Sequence, residues 1–403
     1  MLTQTAKQRI QDVRAEFPGA SKWTYLDVGA RCILPVRTRD AIVAELDARM
    51  ESGGDKAVMF ASVESARKRF AGLIGADPSE IAITKNISEG LNAIAAAYPW
   101  QKGDNVVVCA EREHPNNIYL WHNLARRIGI EFKLVPSDAG LVPADAMIAA
   151  MDSRTRMVST SSTTFLPGFR TDLDAIGAAC RDRGVLFLVD GAQSAGIIHH
   201  DVQKTPIDAL AVSTQKGLLG LYGFGFLYCR KSWAERLQPV YLARFGVDLG
   251  DAHEADGGTS EYKLMPGARR FDVGNYNFPA ATAVDTSMAL LEDIGIPAIE
   301  EYTCGLARSL SDGLAESGLP IWTTADPKHL ASKVTIGGPT GDYSPFGSLY
   351  QHLLDNGVKL SVRRGMLRFS FHLYNNQDDV DRVLSLSRDW CRNNPSALAI
   401  RSV

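Results

Sequence analysis

Two residues that could do chemistry together, Asp190 and Lys216, each stand just past a short apolar run. Val185-Leu186-Phe187-Leu188-Val189 precedes the aspartate, and Ile207-Asp208-Ala209-Leu210-Ala211-Val212 leads to the lysine. A lysine amine condenses with a carbonyl, and a carboxylate at a neighbouring strand end keeps a pyridine-type nitrogen protonated, so that the ring withdraws electrons. The lysine lies in Ser213-Thr214-Gln215-Lys216-Gly217-Leu218-Leu219-Gly220. Small and apolar neighbours of this kind desolvate an ammonium, lower its pKa and free the amine. A lysine picked blindly is a solvated surface residue, and an isolated Asp-Gly is a turn or a cap. The pairing of the two strand ends is what favours the chemical reading.

Other strand ends offer complementary groups. Thr84-Lys85-Asn86-Ile87-Ser88-Glu89-Gly90 runs from an apolar run into a helix expected over Leu91 to Tyr98, an arrangement whose N–H groups suit a phosphate, with Ser88 as a donor or simply as an N-cap. His114, in Glu111-Arg112-Glu113-His114-Pro115-Asn116-Asn117, could lie flat on an aromatic ring or be an exposed loop histidine. Arg368 alternates with Leu367, Phe369 and Phe371, so its guanidinium projects away from the apolar side, where a fork of N–H donors could clamp a carboxylate. Arg363, Arg364 and Arg31 are lower-ranked candidates.

The elements that must carry these residues follow from periodicity. Ile81–Thr84, Val106–Ala110, Phe132–Val135, Met157–Ser161, Val185–Val189, Ala209–Ser213 and Phe224–Tyr228 read as strands alternating with amphipathic stretches. That pattern predicts an α/β fold, a largely parallel sheet with helices on both faces. Thr171-Asp172-Leu173-Asp174 resembles a capping box opening a helix that Gly184 closes. Gly217 to Gly225 reads as a flexible connection, Leu249 to Gly267 as a surface excursion, and Ala280 to Asp293 as a helix closed at Gly295. Val358-Leu360-Val362 and Leu367-Phe369-Phe371, flanking Arg364-Gly365, read as a hairpin with one buried face. A large domain is expected over residues 18–282, with a small α+β domain built from 1–17 and 283–403.

Composition narrows the partners. Apolar content of 45%, charged content of 22% and a net charge of −3 describe an ordinary globular chain with no basic concentration for nucleic acid. No run approaches a membrane span and the N-terminal residues lack a signal-peptide core, so a cytoplasmic protein is expected. Six scattered cysteines with no CxxC pair predict neither a metal site nor disulfides. The glycine pattern and distal acid of a dinucleotide-binding fold are not found.

In order, Ser88-Glu89-Gly90, Glu113-His114-Pro115-Asn116-Asn117, Gly168 with Arg170-Thr171-Asp172-Leu173, Asp190-Gly191-Ala192-Gln193, Ser213 with Lys216, Arg270 to Asn275, and Leu367-Arg368-Phe369-Ser370 with Tyr374-Asn375 resemble the class V aminotransferase family. These are pyridoxal 5′-phosphate enzymes of fold type I, a family that includes cysteine desulfurases, kynureninase-like hydrolases and isopenicillin N epimerase-like proteins. The resemblance implies a seven-stranded sheet and a role for each residue. Lys216 would carry the Schiff base and act as base at Cα, Asp190 would pair with the pyridinium, Gln193 would bond the ring hydroxyl, and His114 would stack on the ring. Ser88, Glu89 and Ser213 would hold the cofactor, and Asn275 would reach the phosphate of the opposite subunit of a homodimer with shared active sites. Arg368, with Arg363 and Asn117, would bind an amino-acid substrate.

Departures from the family pattern bear on the reaction. Gln215 stands where many relatives have a histidine, Phe165 falls near a cofactor-contacting asparagine, and Ser361 to Leu367 has no desulfurase cysteine. The expectation is Cα deprotonation leading to transamination, with epimerisation or β-eliminating C–S lysis as alternatives. A cofactor-binding protein without activity, or a dinucleotide-binding one, is the reading outside that class.

Overall fold

The computed structural model describes residues 4–250, 262–340 and 343–399. Residues 251–261, in the middle of the expected surface excursion, lie outside the described residues. Two short strands apart, β1 (Thr24–Tyr25) and its later partner, the first half of the chain builds one sheet. Its strands are β2 (Ile81–Thr84), β3 (Asn105–Val108), β4 (Glu131–Leu134), β5 (Thr155–Ser161), β6 (Leu186–Asp190), β7 (Ala209–Ser213) and β8 (Gly225–Cys229). They lie side by side as β2-β8-β7-β6-β5-β3-β4. The pairs from β7 to β4 are parallel, and only β8 runs against its neighbours. All seven expected strands are present, within one or two residues of their expected limits.

Continuous apolar runs make such strands because both faces are covered. Val107, Val158, Phe187, Val189, Leu210 and Val212 enter one core, whereas Val106, Val108, Met157, Leu186, Leu188 and Ala211 enter another on the opposite side. Helix Leu173–Arg183 packs as expected and ends on Gly184 at φ 65°, but its cap is Asp172, which accepts the Ala175 N–H. Thr171 is displaced from that role because its hydroxyl is tied to the Ser161 carbonyl at 2.6 Å. The helix after β2 spans Ile87–Ala97, one turn earlier than expected, because the Asn86 side chain caps it at the Glu89 N–H.

Beyond β9 (Val247–Asp248) and β10 (Lys263–Leu264), a second sheet forms from β11 (Lys333–Ile336), β13 (Ser361–Arg363) and β14 (Met366–Ser370), in the order β11-β14-β13. β12 (Val358–Lys359) pairs with β1 instead. Arg364 at φ 51° and Gly365 at φ 79° make the two-residue turn joining β13 to β14. The hairpin was expected to bury one face. As the middle strand of three, β14 is buried on both, and Arg368 is 0% exposed. The covering layer on its polar side is the segment around Phe165, whose carbonyl accepts from Arg368 Nη1 at 2.9 Å.

One buried ion pair anchors the sheet edge. Arg67, on helix Lys56–Ile74, meets Asp272 at 2.7 Å with both side chains 1% exposed, and Asp272 also accepts the Ile83 N–H and the Tyr276 hydroxyl. Truncation strands the other charge without water. Arg67→Met is therefore expected to lower unfolding stability by about 3–5 kcal/mol. Chemical denaturation checks this, and an unmoved midpoint would contradict it.

Candidate active site

The strand ends converge on one cavity. Ile87 follows β2, His114 and Asn116 follow β3, and Thr163 and Phe165 follow Ser161 at the end of β5. Asp190, Ala192 and Gln193 come from β6, Ser213, Gln215 and Lys216 from β7, and Tyr222 from the approach to β8. Gly29 and Ala30 close one side and Arg363, from the second sheet, another. Ligands of open parallel sheets gather at this carboxyl edge.

Lys216 is held on a tight, buried turn. A Cβ on Gly217 would lie 2.3 Å from the Ala195 carbonyl oxygen, so only glycine fits directly after the lysine. The segment expected to be flexible is therefore buried at residues 217–220. His372 Nε2 donates to the Gly217 carbonyl at 2.8 Å while its Nδ1 accepts the Leu373 N–H; burial pushes this imidazole down to about 4, against the Gly217 bond, and keeps it neutral. Burial pushes the Lys216 ammonium down to about 8, with Arg368 and Arg363 acting in the same direction and Asp190 opposing. The neutral amine thus accumulates as pH rises through about 8. The apo-protein is expected to take up pyridoxal phosphate faster between about pH 7 and 9 and then level off, followed by absorbance after rapid mixing. A rate still climbing tenfold per unit near pH 10 would contradict the depressed amine.

Asp190 is buried, and its Oδ1 accepts the Ala192 N–H at 2.9 Å. Burial raises its pKa, while that N–H and Lys216 pull it down; a cationic ring N–H would add to the second group. Gln193 Nε2 donates to the Gly29 carbonyl at 3.0 Å, and its Oε1 is buried with no partner, free to accept a ring hydroxyl. Ser213 Oγ accepts the Ile87 N–H at 3.0 Å, at the start of helix Ile87–Ala97. His114 Nδ1 accepts the Asn116 N–H, and its ring stands edge-on to Phe165 with centroids 4.9 Å apart. Burial, then Lys216, Arg363 and Arg368, lower the His114 pKa and keep it neutral. These donors and acceptors fit pyridoxal phosphate: an amine, an acid for the ring nitrogen, an orphaned acceptor and a helix N-terminus for phosphate.

Several sequence candidates lie elsewhere. Ser88 and Glu89 line an adjoining groove with Tyr241 and Phe271. The Glu89 carboxylate is turned back onto the Lys85 N–H, which accounts for its absence from the cavity. Asn117 is fully buried, donating to Glu113 at 2.9 Å and accepting from Ser159 at 2.8 Å, and it is not among the cavity-lining residues. The 3-10 turn Pro115–Asn117 explains the exchange: it aims Asn117 down onto β5 and leaves Asn116 on the cavity wall. Asn275 is exposed and lines a separate groove with Lys56, Phe60 and Phe245.

The sequence reading also missed supporting residues. Glu113 is buried beneath the cavity, accepting from the Ser161 N–H at 2.7 Å; burial and Asp190 raise its pKa to about 7. Lys333, in a strand that reads as ordinary, donates to the Gln193 carbonyl at 2.8 Å, and burial, then Arg368 and Lys216, push it down to about 7. No cysteine is among the cavity-lining residues. Cys32, the thiol whose backbone N–H meets the Gln215 carbonyl, is pushed up to about 12 by burial.

Residues 24–383 match the family model described as aminotransferase class-V. A probable cysteine desulfurase of Methanothermobacter thermautotrophicus is 32% identical, covering 92% of this chain and 96% of the relative. An uncharacterized aminotransferase of Bacillus subtilis, YcbU, is 29% identical over 93% of this chain and 96% of its own. In fold, the chain resembles the cysteine desulfurase of Thermococcus onnurineus, with a TM-score of 0.83, 24% identity, and coverage of 95% and 98%. The cystine C–S lyase C-DES, solved with cysteine persulfide, superposes with a TM-score of 0.82 at 24% identity, over 93% and 99% of the two chains. With the cavity built from the same strand ends that carry its motifs, the chain belongs to the class V aminotransferase family of pyridoxal-phosphate-dependent enzymes.

Proposed function

We propose that this enzyme is an aminotransferase acting on an amino acid whose α-carboxylate is held by Arg368 and whose Cα proton is removed by Lys216. Ser213 and the helix N-terminus at Ile87 would hold the cofactor phosphate, Asp190 its ring nitrogen and Gln193 its hydroxyl. When bound, pyridoxal phosphate supplies an electron-poor ring that stabilises negative charge at the substrate's Cα. The observation that carries the reading is Lys216 itself, a half-buried amine pushed down to about 8 on a turn that His372 and Gly217 fix in place. It lines the cavity and is able both to take and to return a proton near neutral pH. Moving a proton between two carbons on one face needs one carrier there, which Lys216 supplies; inversion at Cα requires a second carrier on the opposite face.

C–S lysis is the second reading, favoured by the relatives named as cysteine desulfurases. A persulfide relay is disfavoured, because the β13–β14 turn is only Arg364-Gly365 and no cysteine lines the cavity. Incubation of the holoenzyme with amino acids in deuterated water separates the outcomes. Keto acid without sulfide supports transamination, whereas pyruvate with sulfide, or a Cα-deuterated amino acid of inverted configuration, would replace it.

We extend the reading to a homodimer with shared sites, supported by the exposed Asn275 beside its own groove. A cytoplasmic setting is supported by six free cysteines. No helix among the described residues is long and apolar enough to cross a membrane.

A further inference from the structure

Arg363 on the cavity wall and Arg368, which is not itself a lining residue but lies behind the Gly29 wall, together hold more positive charge than one α-carboxylate needs. Arg368 is fully buried, bonds the Phe165 carbonyl through Nη1, and leaves Nε and Nη2 without partners. Two orphaned donors on one edge of a guanidinium match one carboxylate. Nη2 faces the Gly29 side of the wall, where a Cβ would come within 3.1 Å of it.

Arg363 is a separate resource. It lines the cavity, donates only to the carbonyl of its neighbour Val362 at 2.8 Å, and forms no ion pair among the described residues. Both guanidiniums lie against one ring, Phe165, at 5.2 Å for Arg368 and 5.7 Å for Arg363. The nearby carboxylate is Asp27, whose Oδ1 is buried without a partner and which pairs with neither arginine. Burial raises its pKa, against the Ser361 hydrogen bond and the charges of Arg368, Arg363 and Arg31, which lower it. Besides Ala30, Ile87 and Ala192, the apolar side chains on the wall are the aromatic rings of Phe165 and Tyr222, and Phe165 already lies against the two guanidiniums.

We propose that the cavity selects an amino acid with a second anionic group, its α-carboxylate on Arg368 and its side-chain carboxylate or sulfinate on Arg363. This rests on the aminotransferase-family reading of the same cavity and names the substrate class for it. A neutral side chain would leave the Arg363 donors facing polar space, whereas an acid gains a charge-assisted bond.

The holoenzyme, titrated with L-glutamate, L-aspartate, L-glutamine and L-asparagine, reports binding through the absorbance of its cofactor. Each acid is expected to bind roughly 10- to 100-fold more tightly than its amide. In Arg363→Gln that ratio should collapse to near one, with Arg363→Lys intermediate. A yellow holoenzyme that binds acid and amide equally overturns the proposal alone. So does an Arg363→Gln variant that weakens both ligands by the same factor, since the two arginines would then share the α-carboxylate. A protein that takes up no cofactor overturns the underlying reading, and the proposal with it.

Discussion

Lys216→Ala will lower turnover by about 10⁴-fold, because in the proposed function one nitrogen both tethers the cofactor and carries the Cα proton. The protein will still bind pyridoxal phosphate through Asp190, Gln193 and Ser213, but denaturation will release it unmodified. Small primary amines should restore part of the rate, since the deleted side chain leaves room on the cavity wall. Single-turnover kinetics with the wild-type substrate makes the measurement. Activity within tenfold of wild type would transfer the proton to another group.

Arg368→Met should separate function from stability. Removing the carboxylate clamp is expected to lower kcat/KM by roughly 10²- to 10³-fold, the cost of losing a buried, charge-assisted contact. The same change should stabilise the apo-protein by about 1–3 kcal/mol, because a buried cation with two unpartnered N–H groups is replaced by a thioether of similar length. Burial already pushes the Arg368 pKa down to about 10, against a small counter-effect of Asp27. Thermal unfolding of apo wild type and variant decides the sign. A variant that loses stability while keeping substrate affinity would make Arg368 a brace for the Phe165 carbonyl and nothing more.

The sheet was legible because its strands are buried on both faces, which leaves uninterrupted apolar runs such as Leu186–Val189 and Ala209–Val212. Asp190 and Lys216 were legible for the same reason: a polar residue at the end of such a run must leave the core at the edge where ligands gather. What the sequence hid depends on turns and layers. Asn116 and Asn117 are adjacent asparagines, and only the 3-10 turn after Pro115 decides which one reaches the cavity. Ser88 sits two residues past the cap at Asn86, and a helix beginning one turn early carries it into the next groove. Lys333 reads as a solvated strand residue, because nothing local announces that Gly168 packs against its aliphatic chain and that Gln193 accepts its ammonium. Arg368 was assigned to the polar face correctly; that this face is sealed by the Phe165 segment is a long-range fact, separated from it by 203 residues.

The most direct test of the account is where the cofactor becomes attached. The holoenzyme is treated with borohydride, digested, and its peptides are mapped by mass. The account predicts a single reduced pyridoxyl adduct on the peptide bearing Lys216, lost when that residue is alanine. An adduct on Lys333 or on any other lysine, or no adduct from a protein that remains yellow, would contradict it.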